Sequence, residues 1–198
     1  MTLSACALLF LAGCQSAPEV SASQSTTPVT PQSNSQPAPD LTAKGTPDAP
    51  EQEKNQDGSR RIPERLYQLS ELKKAKIKVG THELEVWVVD TELKRQEGMM
   101  FLRSGDFTEK QGFLFIFSVE QPLRFWMKNT LVDLDIAYIG QNKVINSVYT
   151  MRSLDTITDY SSAKPSMYAL EVKAGWFSRN RVPVGTKVEI PKELKSDE

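Results

Sequence analysis

The pattern of hydrophobic and polar positions predicts a series of short strands in the second half of the chain. Residues 76–79 alternate, a Gly-Thr step breaks the pattern, and residues 82–89 alternate again, which is typical of a hairpin. Residues 134–139 and 143–148 flank a Gly-Gln-Asn turn and predict a second hairpin. Further strands are expected at residues 113–117, 124–128, 168–172 and 187–190. Short strands separated by turns indicate a barrel-like β domain.

Two helical segments are expected beside these strands. Residues 92–99 have the composition of a short helix that ends at a glycine. Three leucines recur at helical spacing within residues 61–75, which predicts an amphipathic lead-in helix before a folded domain at residues 76–191. The predicted fold class is therefore mainly β, with one or two short helices and enough residues for one core.

The N-terminal third has a different pattern. Residues 1–13 are apolar and uncharged, with the length and small-residue end of a secretory signal peptide, and they are too short to span a bilayer as a helix. Residues 15–60 hold seven of the twelve prolines and no aromatic residue. Such a segment buries too little apolar area to offset its ordering entropy. We therefore predict a disordered linker over residues 14–60.

The junction between these two segments resembles the lipobox of bacterial lipoproteins. Residues 11–14 read Leu-Ala-Gly-Cys. In lipoproteins the cysteine thiol carries a diacylglyceryl group, and cleavage leaves that cysteine as the N-terminus. The resemblance implies lipidation of Cys14, a membrane as a partner through that lipid, and a place in the cell envelope. Gln15 follows the cysteine, which by the sorting rules of Gram-negative bacteria implies the outer membrane.

Composition narrows the chemistry of the folded part. The chain has 24 basic and 25 acidic residues, and residues 61–198 hold 21 and 19 of these, so we expect no nucleic-acid partner. The only cysteines are Cys6 and Cys14, which leaves no thiol for a disulfide, a nucleophile or a metal site in the folded part. His82 is the only histidine, and we expect it to pack at a strand end rather than to serve a Ser-His-Asp triad. We expect no metal and no cofactor.

Two longer motifs resemble a known family. Residues 125–130 read Phe-Trp-Met-Lys-Asn-Thr, and residues 134–136 read Leu-Asp-Ile. They resemble the family catalogued as domain of unknown function 192, a match that extends over about residues 76–190. The other matching positions are Arg95, Gly98, Met99, Arg103, Gly112, Leu114, Phe115, Leu170, Glu171 and Gly175. The resemblance implies a compact β-rich domain and supplies no activity.

One departure from the family pattern adds a carboxylate. Asp133 stands where the family commonly has Pro, two residues before Asp135, so the two side chains are expected on the same strand face. A calcium site there is disfavoured, because sites for hard cations gather six or more oxygens.

The polar end of the Phe-Trp-Met-Lys-Asn-Thr motif is the strongest candidate for a binding pocket. Trp126 or Phe125 would form an aromatic platform, and Lys128, Asn129 and Thr130 would contact a small molecule or peptide, with Lys128 meeting an anion. In the alternative interpretation, Asn129 and Thr130 stabilise a turn, because such side chains readily satisfy local backbone groups. We favour the turn.

Four charged residues form a second candidate cluster: Arg95, Arg103, Asp135 and Glu171. Structurally, they would form buried ion pairs that hold the domain together. Catalytically, Asp135 and Glu171 would act as a general acid and base, with Lys128 or Arg95 stabilising negative charge. The structural interpretation is favoured, and no catalytic residue is assigned.

Three functions remain open from the sequence. The favoured one is a non-enzymatic binding or accessory module for a small molecule, glycan or protein, because no nucleophile–base pair, metal cluster or phosphate loop is visible. The second is an envelope hydrolase or transferase that uses the carboxylates. The third is a structural or assembly factor of the envelope.

Overall fold

A computed structural model describes residues 54–197. Seven strands form one curled, half-barrel sheet, and two short strands pair with each other. The strands are β1 (Lys74–Val79), β2 (His82–Val89), β3 (Gln111–Gln121), β4 (Arg124–Phe125), β5 (Leu134–Ile139), β6 (Ile145–Met151), β7 (Tyr160–Ser161), β8 (Ser166–Lys173) and β9 (Val188–Glu189). The helices are α1 (Glu92–Glu97) and α2 (Trp176–Arg179). The prediction of a mainly β, barrel-like domain with short helices is confirmed.

The order of strands across the large sheet is β6-β5-β8-β3-β2-β1-β9, and β4 pairs with β7. All neighbours in the large sheet run antiparallel except β2 and β3, which are parallel and joined by the segment that contains α1. The predicted signal peptide, Cys14 and the linker up to residue 53 lie outside the described residues.

Both predicted hairpins are present. β1 pairs with β2, and β5 pairs with β6. β6 begins at Ile145, two residues later than predicted. Lys143 causes the delay, because it has a φ of 62° and its N–H closes a turn on the carbonyl of Gly140 at 2.8 Å. The predicted helix is also present, with Thr91 as its N-cap and Gly98 at its end.

The strand predicted at residues 124–128 is shorter than expected. β4 stops at Phe125, because the N–H of Thr130 bonds to the carbonyl of Met127 at 3.1 Å and Asn129 has a φ of 55°. The chain therefore turns where the pattern predicted continued extension. Neither β7 nor α2 was predicted, since elements of two and four residues leave no periodic pattern to read.

The predicted lead-in helix over residues 61–75 is wrong. Only isolated turns occur there, and β1 already begins at Lys74. The carboxylate of Glu97 accepts the N–H groups of Leu66 and Tyr67, and the Gln68 side chain accepts the N–H of Ile62. Side chains thus take the places that helical carbonyls would fill. The spacing of the leucines gave a misleading signal for this reason.

The end of the predicted linker is ordered as well. Lys54 and Arg60 form an isolated β-bridge around a turn, and the guanidinium of Arg60 pairs with Asp106 at 2.6 Å. The Arg60 pKa is raised, chiefly by that hydrogen bond to Asp106. Residues 54–60 therefore belong to the folded part rather than to the linker.

Hydrophobic residues cover both faces of the large sheet. On one face, the α2-side core, strand residues such as Val86 and Leu114 pack with Trp176 and Phe177. On the other, the loop-side core, strand residues pack under four irregular segments of the chain. The apolar residues that these segments contribute are Ile62, Leu69, Leu72, Met99, Leu102, Phe107, Leu123, Met127 and Tyr160. The loop-side core carries the candidate site.

Candidate binding surface around Trp126

The pairing of β4 with β7 places Trp126 at the surface of the loop-side core. Phe125 packs into the core, with its ring centroid 4.8 Å from that of Phe115 and 5.8 Å from that of Tyr138. Met127 is fully buried, whereas Trp126 between them is 54% exposed. The alternation of an extended segment therefore turns the indole outward and anchors its two neighbours inward.

Trp126 differs from the other two tryptophans of the chain. Trp87 and Trp176 are 4% and 3% exposed, and each indole N–H donates to a backbone carbonyl at 3.0 Å. The ammonium of Lys128 lies 5.2 Å from the Trp126 ring centroid, a cation–π contact at the surface. Trp126 is thus the tryptophan available to a partner molecule.

A loop held by Asp155 stands opposite Trp126. The Asp155 carboxylate accepts the N–H groups of Ile157 and Thr158, at 2.9 and 3.0 Å, and the hydroxyl of Tyr160 at 2.9 Å. Hydrogen bonds from Thr158, then Ile157 and Tyr160, hold the pKa of Asp155 well below its usual range. The loop therefore presents Ile157, which is 96% exposed, in a defined position.

Three backbone contacts tie the loops of this surface together. The N–H of Phe101 bonds to the carbonyl of Asn129 at 2.8 Å, and the N–H of Leu154 bonds to that of Thr130 at 3.0 Å. A third bond joins Met127 N–H to the Asp155 carbonyl at 3.2 Å. Phe101, Asn129 and Leu154 have φ values of 64°, 55° and 59°. Such left-handed residues cluster at functional sites, where the surrounding structure fixes them.

Two clefts flank Trp126. The first has a volume of about 300 Å³, and Trp126 shares its lining with Arg124, Phe125 and residues 156–159. The second, of about 360 Å³, is lined by Glu92, Arg95, Gln96, Phe117, Gln121, Arg124, Phe125 and Trp126. Residues 124–126 are common to both, so a ligand in either cleft would contact Trp126. These volumes lie at the lower end of the range for small-molecule sites.

The predicted pocket residues divide into two groups. Trp126 and Lys128 point outward, as the pocket hypothesis requires. Thr130 is buried, and its hydroxyl donates to the carbonyl of Lys128 at 3.4 Å. Asn129 is half-buried at the left-handed position of the turn. The geometry of Asn129 and Thr130 therefore agrees with the turn-stabilising interpretation.

The predicted charged cluster is not brought together. The guanidinium of Arg95 donates to the carbonyls of Asp90 and Ile116 at 3.0 and 2.9 Å, and stacks over Phe117. Arg103 is exposed on the 98–107 loop, where its backbone N–H bonds to Asp106 at 2.6 Å. These contacts of the two arginines go to backbone groups, Phe117 and Asp106, and none of them joins Asp135 to Glu171.

Asp135 and Glu171 lie on opposite faces of the sheet. Asp135 pairs across the strands with Val172, in the α2-side core, whereas Glu171 pairs with Ile136, in the loop-side core. Asp135 accepts the Thr150 hydroxyl at 2.7 Å and is 2% exposed. This arrangement separates the predicted general acid from the predicted base.

Glu171 is buried between apolar strands. Its neighbours in register are Phe113 on β3 and Ile136 on β5. Burial raises the pKa of the Glu171 carboxyl to about 8, so the group is neutral at pH 7. Burial and the nearby Glu171 together raise the pKa of Tyr138. A neutral carboxyl deep in this core acts as a packing group.

The remaining candidates lie elsewhere. Asp133 is exposed and accepts the Ser153 N–H at 2.7 Å, and no group of three His, Cys, Asp or Glu side chains that could hold a metal occurs among residues 54–197. His82 lines another cleft, of about 610 Å³, with its ring 5.8 Å from that of buried Trp176. That cleft has mixed charge and offers no exposed aromatic face, so the Trp126 surface is the stronger candidate.

The sequence did not point to Asp155 or Ile157. An Asp followed by Thr, Ile and Thr is a local signal for a turn in which the carboxylate accepts nearby N–H groups. Nothing in that signal tells which strand the loop faces. The pairing of β4 with β7 supplies this information, because it places residues 156–159 beside Trp126.

The fold and this surface define a small half-barrel β domain that exposes one tryptophan on interlocked loops. The chain belongs to the family named domain of unknown function 192 (DUF192) and described as Uncharacterized ACR, whose model matches residues 75–190. The match confirms the resemblance seen in the motifs. Within residues 54–197 no helix is long and apolar enough to cross a membrane.

Two solved structures resemble this chain. A Sinorhizobium meliloti 1021 protein, described as a proposed transcription regulator, is 28% identical with a TM-score of 0.56, covering 60% of this chain and 94% of that one. A protein of unknown function from Novosphingobium aromaticivorans DSM 12444 is 25% identical with a TM-score of 0.58, covering 64% and 91%. No curated protein matches the chain.

Proposed function

We propose that this protein is a non-enzymatic binding module of the cell envelope, tethered to a membrane by a lipid on Cys14, and that it binds its partner at the Trp126 surface. The observation that carries the binding role is the exposed indole between two clefts on loops fixed by hydrogen bonds. Preformed concave sites with an aromatic wall and a few polar groups are the usual form of small-ligand sites.

The arrangement of the carboxylates supports a binding role over catalysis. A general acid and base must both reach one substrate, and Asp135 and Glu171 face different cores. Lys128 is exposed and stacks on Trp126, whereas both acids are buried. The description of one relative as a transcription regulator does not enter the proposal, because the charges of the folded part nearly balance.

Intrinsic fluorescence tests the binding role directly. Since Trp87 and Trp176 are buried, a change in accessible tryptophan emission on binding reports mainly on Trp126. The full chain would be titrated with panels of envelope metabolites, oligosaccharides and peptides while emission and acrylamide quenching are recorded. We expect at least one compound to shift the emission and protect Trp126 from quenching.

Two variants control this experiment. Trp126→Ala removes the response, whereas Val184→Ala, which truncates a side chain that is 55% exposed on a different loop, leaves the affinity unchanged. Binding that survives Trp126→Ala at full strength would refute the proposed surface. Turnover of any bound compound, lost in Asp135→Asn at an unchanged melting temperature, would refute the non-enzymatic role.

The tether is tested separately. The apolar start, the Leu-Ala-Gly-Cys sequence and the proline-rich linker support it. In cells fed a fatty-acid analogue, we expect the wild type and Cys6→Ala to be labelled and to fractionate with membranes. Cys14→Ala should lose both properties, and undiminished labelling of that variant would exclude lipidation at this position.

A further inference from the structure

The two clefts beside Trp126 share residues 124–126 as part of their lining, and the pair is called the path across Trp126 below. The loop before β7 walls the first cleft, while α1 and β3 wall the second, and residues 124–126 lie between them. A ligand that fills both clefts must cross Trp126. Such a ligand is linear, and its middle contacts the indole.

The charged side chains that line this path are two guanidinium groups and two carboxylates. Arg124 pairs with Asp159 at 2.9 Å, and the Gln96 amide donates to Glu92 at 3.0 Å. Arg95 donates to two backbone carbonyls. The charges of the lining balance, and the excess charge beside it is the Lys128 ammonium, which the Trp126 ring already contacts. A strongly charged ligand would gain little from such a lining, because charge complementarity is what selects it.

The uncharged groups of the path match a ligand with many hydroxyl or amide groups. Gln96 and Gln121 lie at one end, and Thr156 and Thr158 lie at the other. Amide and hydroxyl side chains both donate and accept hydrogen bonds. Between them, the π system of Trp126, which holds the Lys128 ammonium at 5.2 Å, also attracts positively polarised C–H groups, which a sugar ring presents on one face.

A peptide would use different features. Peptides bound as an added strand need a free strand edge with several N–H and C=O groups. β4 is only two residues long, so it offers an added strand too few N–H and C=O groups. The observations therefore favour a ligand recognised by ring stacking and side-chain hydrogen bonds.

We infer that the path across Trp126 binds a linear, uncharged glycan of several sugar units, with one ring stacked on the indole. This inference rests on the proposed binding role and names its ligand class. Sugar units on either side of the stacked ring occupy the two clefts. Gln121 then contacts one end of the glycan, and Thr158 contacts the other.

The test uses defined oligosaccharides and the purified full chain. The probes are N-acetylglucosamine, its β-1,4-linked trimer and hexamer, cellohexaose, maltohexaose, the anionic hexamer of galacturonic acid, and a proline-rich decapeptide. Calorimetry measures affinity, and Trp126 emission reports the contact. We expect a neutral hexamer to bind at least about tenfold more tightly than its monosaccharide, with little dependence on salt, since the lining is neutral.

Variants locate the ligand along the path. We expect Trp126→Ala to weaken binding of the hexamer at least about tenfold, the scale of a lost stacking contact. Trp126→Phe should retain more of the affinity. Gln121→Ala and Thr158→Ala should each weaken the hexamer, because it spans both clefts, and Val184→Ala should have no effect. Unchanged melting temperatures show that these surface variants fold.

Each failure has a distinct meaning. If no neutral hexamer binds, or if the hexamer binds no more tightly than the monosaccharide, the glycan inference is overturned. If the decapeptide or another compound then shifts Trp126 emission, the proposed binding role stands with a different ligand class. If Trp126→Ala changes the affinity of nothing that binds the wild type, the inference and the proposed surface both fall.

Discussion

The two faces of the large sheet are covered in different ways. The α2-side core is closed by the strands themselves, a four-residue helix and β9, and Asp135 is buried among its apolar side chains. The loop-side core is closed by four segments whose regular structure is limited to the two-residue strands β4 and β7, and polar side chains hold those segments through backbone groups. Both faces bury apolar side chains, and the loop-side face also presents a preformed surface on a fixed support.

The polar contacts of the loop-side core replace regular hydrogen bonding. Arg65 is 6% exposed and donates to the carbonyls of Tyr67, Gly98 and Met100 at 2.9, 2.9 and 2.6 Å. Its guanidinium also pairs with Glu97 at 3.3 Å. Burial lowers the pKa of Arg65, while the Glu97 carboxylate opposes that shift. One side chain thereby joins the lead-in segment to the loop that follows α1.

Among the substitutions considered, Arg65→Met is expected to lower the free energy of unfolding the most. The variant leaves the carbonyls of Tyr67, Gly98 and Met100 without the Arg65 donor and removes the cation that pairs with Glu97, which costs roughly 2–4 kcal/mol in the free energy of unfolding. Urea denaturation measures the loss. Arg103→Met, at an exposed position, should change stability by less than about 0.5 kcal/mol. Equal effects of the two substitutions would contradict the role given to Arg65.

Glu171→Gln is expected to change the free energy of unfolding by an intermediate amount that depends on pH. The carboxyl holds its proton in the fold up to a pKa of about 8, whereas the unfolded chain releases it near 4.5. Unfolding therefore releases a proton between these values, so wild-type stability falls as the pH rises from about 5 to 8. The variant lacks this dependence.

The measurement is the difference in unfolding free energy between Glu171→Gln and the wild type at a series of pH values. The difference should shift in favour of the variant by about 1 kcal/mol or more between pH 5 and pH 8. Glu83→Gln, at an exposed glutamate of β2, serves as the matched control and should show no such trend. A difference independent of pH would show that Glu171 is ionised in the fold.

The smallest change in stability, and the sharpest test of the surface, is expected from Asp155→Ala. The melting temperature should barely move, because the residue lies at the surface and is only half-buried. The amides of Ile157 and Thr158 should exchange with solvent roughly tenfold faster, because they lose their acceptor. Asp155→Asn keeps an acceptor oxygen, so its exchange rates should lie between those of the wild type and of Asp155→Ala. Unchanged exchange in Asp155→Ala would mean that the loop is held by other contacts.

The lowered pKa of Asp155 extends this test to acid. A carboxylate with a depressed pKa contributes its hydrogen bonds above its unfolded pKa and loses them only as the pH falls through the lower, folded value. The protection of Ile157 should therefore persist at pH 4. Loss of this protection already at pH 4 would show that the loop at residues 156–159 is not preformed.

The sequence predicts the strands that carry the α2-side core better than it predicts the loop-side core. The alternation in β1 matches its burial pattern, β5 and β8 are buried on both faces, and the glycine-containing breaks mark the turns. Gly112 shows why one motif position is fixed, since a Cβ there would lie 2.5 Å from the carbonyl oxygen of Glu171 on β8. Family motifs and burial patterns therefore agree in this half of the domain.

The loop-side face escaped prediction for physical reasons. Leu69 and Leu72 are buried as expected, but the side chains of Glu97 and Gln68 satisfy backbone groups within residues 62–67, so periodicity predicted a helix that does not exist. The separation of Asp135 from Glu171 follows from the register of β5 on β8, which no local pattern encodes. The sequence identified Trp126 as a candidate binding residue. Only the tertiary structure shows that residues 156–159 form the opposite wall of its cleft.

The ordered turn at residues 54–60 has a mechanical consequence. Any pull applied through the chain before Lys54 reaches the domain at the bridge between Lys54 and Arg60, and next at the Arg60–Asp106 pair. These contacts would break one after the other before the force reaches Arg65. The interlocked loops around Trp126 and the strands beneath them lie beyond that point. A force on the N-terminus would thus break this short turn first, and the turn can form again. The sheet would stay intact.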